Sequence, residues 1–596
     1  MQLKHLSLKE FRNLKNVSID FESQLPLSSD AAKAPRPKSI RSHALIGQNG
    51  TGKSNLIEAL IMIFRNIDLD LDAPFDYTLE YEIRGHAVRI EAESEKQKRP
   101  FVWVDQDRVS QDYVIRNDPP EKTPQDKRRG PRLLPSHIFA YYSGRNERIE
   151  ILFREHQRRF TRRQEIVAEE VLPERVLQNF RASESDIRAL EEAKKRGERE
   201  LERLGDDRLQ RLFYCRGGHS QLVLLACLLT DDPVFRKLLD DLNIEGLESA
   251  LFVLKEPYRL REKRRNGTFE EDEINQGDPR FWYARGNVVS EFLDKLWQVA
   301  WAPIETEENK QIDFRGRTER QRQLYLYVPN EEKLKRLGEL VGGKDSFFRY
   351  AEGAYIGDLI EEVRIKVRRR SEDGVTFSFT QLSEGELQML TVLGLMRITR
   401  DDHCLFLLDE PDSHLNPIWK LRYFDEIEGV LANSEDGSVA GESQILIATH
   451  DPMMVGSLRR EQVHILRREG NQTAVDVPEV DPQGMGVTGL LKSELFGLSS
   501  TLDTETTRRL SRRNELFVMD HRTAEEEAEL SRLSAELADL GFSTADFRDP
   551  DYALFVRKMA EHRRFRMPVL TPEEQSEQNA IADQIIDEIL GEESAK

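Results

Sequence analysis

A chain of 596 residues, 38% hydrophobic and 33% charged, has material for a large buried core and roughly three or four domains, which excludes a small binding module. The formal net charge of −20 coexists with local basic clusters, RRFTRRQ at Arg158–Gln164 and KVRRR at Lys366–Arg370, so the average hides candidate basic faces. Three cysteines with no CxxC spacing argue against a zinc site or a disulfide framework, and no run nears the roughly 18 apolar residues of a membrane span; with no signal-peptide core at the N-terminus, the reading is a cytoplasmic protein without a membrane partner.

LKHLSLKEF and VSIDF alternate apolar and polar residues with the period of half-buried strands, and PLSSDAAKAPRPKS after them reads as a surface loop. HALI, the glycines of GQNGTGKS and the helically spaced NLIEALIMIF then give strand, loop and helix in that order. DYTLEYEI, AVRIEAE and FVWVD predict an antiparallel sheet beside that loop, and the first lobe closes at about residue 148. Residues 149–375 read as a mainly helical insertion, with SDIRALEEAKKRGERELERLGDDRLQRLF as a solvated helical stretch and LVLLACLLTDDPVFRKLLDDL as its buried part. Its helical segments are too short for a long antiparallel coiled-coil arm. Residues 376–500 return to a βαβ rhythm through HCLFLLDEP, IWKLRYFDEIEGVL and QILIATHD, which predicts a mostly parallel sheet. Residues 501–596 form a helical extension, with Leu530, Leu533, Leu537 and Leu540 on one stripe and Ile581, Ile585 and Ile589 on another. The fold class is therefore α/β, a P-loop head with a large insertion and a C-terminal helical extension.

Gly47-Gln48-Asn49-Gly50-Thr51-Gly52-Lys53-Ser54 fits GxxxxGK[ST] without a mismatch. Its glycines let backbone N–H groups turn inward around phosphate oxygens, Lys53 reaches the β- and γ-phosphates, and Ser54 is a Mg²⁺ ligand. CLFLLDEP delivers Asp409 and Glu410 at the carboxyl end of a buried strand, where ligands of open α/β sheets sit. There Asp409 suits Mg²⁺ and Glu410 suits the attacking water. LSEGE places Ser383 and Gly385 at a helix start, a position suited to a γ-phosphate, and His450 follows the buried run ILIAT.

These four motifs, in this order, resemble the ABC-type ATPase heads of the SMC/RecF/OLD class over residues 1–150 and 376–470. The resemblance implies ATP with Mg²⁺, a switch role for His450, Arg12 lying toward the nucleotide, and a head dimer or higher homo-oligomer in which one head's signature completes the other's P-loop site. Two departures stand out. YYSGRNER takes the place of a Q-loop, leaving Asn146 or Ser143 as its stand-in, and DSHLNP puts Asn416 where transporter heads commonly carry an aspartate. No acidic Toprim-like cluster follows His450. RLFYCRGGHSQLVLLACLL and the polar tail resemble the ATPases of Septu-type anti-phage systems, which implies a separate HNH-type nuclease partner and a nucleic-acid trigger. A RecF-like DNA-repair ATPase and an ATP-gated scaffold with little turnover stay open beside that reading, and a transporter ATPase fits least. The basic clusters (Arg158, Arg159, Arg162 and Arg163; Arg368, Arg369 and Arg370) are candidate phosphate contacts for DNA.

Overall fold

The computed structural model describes residues 1–540 apart from 23–41, 117–131, 144–146, 166–211, 216, 270–273, 275–276, 287, 312–315, 371–375, 400–402, 433–442, 471, 499–500 and 520. The long charged segment of the insertion and the isoleucine stripe at the end of the chain lie outside the described residues.

Two compact units divide the chain, Met1–Val477 and Pro478–Lys596. The first contains three sheets, of six, five and seven strands. The six-stranded antiparallel sheet runs β2 (Leu14–Asp20), β1 (Gln2–Phe11), β4 (Tyr77–Ile83), β5 (His86–Ala92), β6 (Phe101–Val104) and β7 (Asp107–Val109). Its strands obey the predicted alternation: in YTLEYEI every second residue is buried.

The seven-stranded sheet runs β18 (Gln472–Asp476), β17 (Val463–Glu469), β3 (Ser42–Ile46), β16 (Gln444–Thr449), β15 (Cys404–Asp409), β8 (His137–Tyr142) and β9 (Leu212–Tyr214). Its members from β17 to β9 are parallel. Every residue of β3, β15 and β16 is buried, the pattern of a parallel sheet covered on both faces. Helix α1 (Lys53–Asp68) is buried on most of its sides, polar residues Lys53, Glu58, Asn66 and Asp68 included, because it belongs to the same core as both sheets, with Leu60, Ile61 and Phe64 buried beside Leu6, Leu8, Leu405 and Leu407. Helix α2 (Glu147–Glu165) joins through His156, whose Nε2 lies 2.9 Å from Asp68 at the end of α1.

The insertion holds helices as expected, among them α3 (Gly217–Cys227), but it also holds a sheet that the sequence reading missed. This third sheet runs β11 (Trp301–Gln311), β12 (Thr318–Val328), β10 (Ile244–Lys255), β13 (Ile360–Arg369) and β14 (Thr376–Ser378), antiparallel throughout. Its last strand leads into α4 (Glu384–Ile398), which packs on α3 so tightly that a Cβ on Gly394 would run into the Val223 side chain. Helix α5 (Pro417–Ala432) follows β15.

The second unit begins at Pro478, just after the last strand, so its boundary precedes the predicted residue 501. It contains α6 (Thr504–Val518), capped by the Asp503 carboxylate, and α7 (Ala524–Asp539). Of the leucine stripe, Leu533 and Leu537 are buried with Leu516, whereas Leu540 is exposed. The stripe is thus only partly used for packing within this unit.

Candidate functional site

The site is assembled at the carboxyl ends of the parallel strands, from segments separated by more than three hundred residues of sequence. The P-loop joins β3 to α1. Gly50 (φ 82°) and Gly52 (φ 108°) sit in the left-handed region that favours glycine. A Cβ on Gly52 would run into Leu14, whereas one on Gly50 would meet nothing, so Gly50 leaves the loop's surface open. Gly47 is pressed against the Leu466 carbonyl of β17, and Asn49 is exposed at the tip. Asn13, in the β1–β2 turn, donates to the Gly50 carbonyl at 2.7 Å and accepts from Asn55 at 2.6 Å, fixing the loop from the side. Lys53 is 6% exposed and donates to the Gly47 and Gln48 carbonyls at 2.6 and 3.3 Å. Burial lowers its pKa, against the pull of Glu410, Asp409 and Asp412.

Asp409 ends β15 and is 1% exposed. Neither carboxylate oxygen closes a hydrogen bond of full geometry among the described residues, although the Ser54 hydroxyl stands close by. Burial pushes this carboxyl up to about 6, opposed by the Ser54 hydroxyl and by the charges of Lys53 and Arg148. An orphaned carboxylate facing a P-loop serine is the donor set of a hard divalent cation that keeps several waters, so these residues fit Mg²⁺.

Glu410 turns the chain out of the strand with φ 50°, a conformation rare outside glycine and asparagine, and its N–H donates to Ala448 at 2.8 Å. The turn presents the carboxylate to His450, whose Nδ1 lies 3.2 Å from Oε1. Both groups keep solvent access. Four residues that sequence reasoning missed hold this corner. Thr449 donates to the buried Asp412 at 3.1 Å and accepts from the Asp451 N–H at 3.0 Å, and Lys420 donates to Asp451 at 2.6 Å. Their signal was adjacency: Asp412 and Asp451 flank the two motif ends, and a buried polar residue there needs partners.

Ser383 is the N-cap of α4 in a full capping box: its hydroxyl accepts from the Glu386 N–H at 3.3 Å, and its own N–H donates to the Glu386 carboxylate at 2.7 Å. A side chain on Gly385 would run into the His414 carbonyl, which explains glycine at that step. His414 also lies 3.0 Å from Glu384, so the segment after β15 and the start of α4 form one surface.

Arg12 does sit beside the P-loop helix, at φ 56°, but its guanidinium forks onto Glu58 of α1, which also takes Arg148 at 3.1 Å. The Ser143 N–H donates to the Asp409 carbonyl at 3.2 Å, beside the site, whereas Asn146 lies outside the described residues. Asn416 caps α5 by accepting from Trp419 at 3.0 Å.

The basic clusters do not form one face. Arg368 pairs with Glu331 at 3.4 Å and Arg370 with Asp240 at 2.8 Å, while Arg369, on the opposite side of β13, stacks over Phe377. Alternation along a strand divides three consecutive arginines. On α2, Arg158 is exposed and both it and Arg159 lie near Glu155; the side chains of Arg162 and Arg163 lie outside the described residues. No helix of the described residues is long and apolar enough to cross a membrane.

Two domain models match the chain: "AAA ATPase domain" over residues 1–188 and "AAA domain, putative AbiEii toxin, Type IV TA system" over residues 229–455. No curated protein sequence matches it. Among solved structures, the chain is similar to the SMC head domain from Thermotoga maritima, at 12% identity and TM-score 0.28, covering 80% of this chain and 100% of that one. It is also similar to the Smc head domain bound to the C-terminal domain of ScpA from Pyrococcus furiosus, at 12% identity and TM-score 0.28, covering 80% and 96%. Overall superposition at such scores is poor, and the fold rests on the strand order and loop geometry above. The two domain models divide the motifs between them, the P-loop in one and the Asp409–Glu410 strand in the other, so that residues 1–188 and 229–455 are each similar to AAA-type ATPase domains, in keeping with the P-loop and the parallel sheet.

Proposed function

We propose that this chain is a Mg²⁺-dependent ATP hydrolase whose heads pair around ATP, and that it serves a bacterial anti-phage complex by controlling an associated HNH-type nuclease in response to foreign nucleic acid. The observation that carries the enzymatic part is the Glu410–His450 pair, 3.2 Å apart at the mouth of the site that also holds Lys53 and Asp409. In this reading Gly47, Asn49, Gly50 and Gly52 cradle the phosphates, Lys53 neutralises the β- and γ-oxygens, and Arg12 braces the cradle through Glu58. Ser54 and Asp409 would hold Mg²⁺, which would supply positive charge to the phosphates. Glu410 accepts the proton of the attacking water, and His450 orients that carboxylate. Ser383 and the N–H at Gly385 face the nucleotide of a partner head. The capping box engages the Ser383 hydroxyl within its own chain, so engagement exchanges that bond for one to phosphate.

The defence part rests on the Septu-type resemblance and on the toxin–antitoxin system named in the description of the model over residues 229–455. Purifying the tagged chain from its own host and identifying what accompanies it by mass spectrometry tests this part. An HNH-type nuclease in the complex is the expected result. Its absence, with recombination proteins in its place, points to the RecF-like alternative. Absence of Mg²⁺-dependent phosphate release by the purified complex would leave only the ATP-gated scaffold.

A further inference from the structure

Beside the signature helix lies a cavity that the proposed ATPase cycle does not use. It measures about 600 Å³ and opens between the carboxyl ends of β8 and β9 and the first turns of α3 and α4. Tyr141, Tyr142 and Tyr214 supply aromatic walls, and Glu150 and Glu384 supply carboxylates. No lysine or arginine lines it among the described residues. Gln388 is the chemically informative member. It is 3% exposed, it lines the cavity, and neither its amide oxygen nor its amide nitrogen has a hydrogen-bond partner among the described residues. Leaving such a group buried and unmatched is costly, and a ligand with a complementary edge would offset that cost.

A planar primary amide offers one acceptor and one donor side by side, and the complement is a flat molecule with a donor and an acceptor on one edge. Nucleobases carry such edges, and glutamine pairs bidentately with adenine in this way. Tyrosine rings are stacking surfaces for any base. The volume accommodates a nucleoside.

We propose that this cavity is a second site, distinct from the P-loop, that takes a nucleobase, with Gln388 reading its edge and the tyrosines stacking on its faces. Its position gives binding a consequence. Glu384, inside the signature at Ser383–Gly385, and His414, which pairs with it, are part of the cavity wall, so an occupant stiffens the surface that a partner head must meet. The base can come from a free nucleoside or from an unstacked nucleotide of a nucleic acid, and the two sources are separable by experiment.

The test uses the full chain carrying Lys53→Ala, so that P-loop binding does not contribute. Adenosine, guanosine, cytidine, thymidine and unstructured single-stranded DNA are titrated by isothermal calorimetry. Saturable binding of at least one probe is expected, weakened about tenfold or more by Gln388→Met, which keeps length while removing the amide. Tyr142→Leu, in the second arm, removes a stacking face and should weaken the same probe. Binding of nucleosides marks the free source, and binding of DNA alone marks the nucleic-acid source. No binding by any probe overturns the proposal, as does binding that both variants leave unchanged while their melting curves match the parent. Because every arm is measured without P-loop function, failure here is separate from failure of the ATPase reading.

Discussion

The seven-stranded and five-stranded sheets handle charge in opposite ways. In the parallel sheet, β15 is apolar up to Asp409, whose buried carboxylate has no ion-pair partner among the described residues. In the antiparallel sheet of the insertion, charges are numerous but matched: Arg368 reaches Glu331, Glu248 and the Leu247 carbonyl, Glu307 reaches Arg320, and Lys255 reaches Asp358 and Glu361. A charge with local partners needs no external ligand, whereas a buried charge without one costs several kcal/mol unless something else compensates. The unmatched Asp409 therefore marks a place for a ligand, and the matched charges of the insertion sheet mark architecture. The exposed strand β11 shows the limit of the second class, since its charges are paired across to β12 and beyond while its faces stay in solvent.

The largest expected effect comes from the site on the parallel sheet, at the carboxylate that pairs with His450. Glu410→Gln removes the proton acceptor but keeps size and the hydrogen-bonding oxygen, so ATP binding persists while steady-state phosphate release falls by about 10²–10⁴. Retention of the parent rate would remove Glu410 from the role of base. Next in size is a complementation result. Lys53→Ala and Ser383→Arg chains should each be inactive alone, yet a mixture should recover turnover, because a heterodimer pairs one intact P-loop with one intact signature. If heterodimers form, shown by differently tagged chains co-purifying, and no activity returns at any ratio, the site is not shared between heads.

This division also governs what could be read from sequence. The motif strands were legible because β3, β15 and β16 are built on short apolar runs, ALI, CLFLL and ILIA, that lead into Gly47, Asp409–Glu410 and His450, and the alternation of β1, β2 and β4 was equally plain. The insertion's sheet was not. WAPIETEENKQ has almost no apolar periodicity because β11 is exposed on both faces, so nothing in it answers to a core. β13 does alternate, with Ile360, Val363, Ile365 and Val367 inward, but its arginines drew the reading toward a basic patch. The corner network of Asp412, Thr449, Asp451 and Lys420 depends on contacts across β15, β16 and α5 that no local pattern encodes.

A core substitution in the insertion should do the reverse of Glu410→Gln. Phe252 in β10 is fully buried, with its ring 6.2 Å from Phe292, which in turn meets Phe347 at 5.7 Å. Phe252→Ala should lower stability by about 3–5 kcal/mol through lost burial and a cavity, seen as a lower denaturation midpoint. ATP turnover per folded molecule, measured at a temperature well below that midpoint, should stay near the parent value. Loss of turnover without loss of stability would make the insertion sheet part of the catalytic apparatus and dissolve the contrast drawn here.

The smallest effect is the most discriminating, because it separates function from stability in a single residue. Asp409 has its carboxyl pushed up to about 6 by burial, above the value of 3.8 it has when exposed in the unfolded chain. The folded state therefore binds this proton more tightly than the unfolded state, and the stability that comes with it is present below about pH 4 and lost as pH rises through about 6. Above that pH the folded protein carries an ionised buried carboxylate at a cost of about 3 kcal/mol, the rise from 3.8 to about 6 taken at about 1.36 kcal/mol per pH unit. Asp409→Asn removes the charge, so at pH 8 without Mg²⁺ or nucleotide the variant should melt at a higher temperature than the parent, and the gap should shrink as the pH is lowered toward 4.5. The same variant should fail to hydrolyse ATP. A neutral side chain that destabilises the protein at pH 8 would show that Asp409 has a structural partner after all, and would move it from the unmatched class to the matched one.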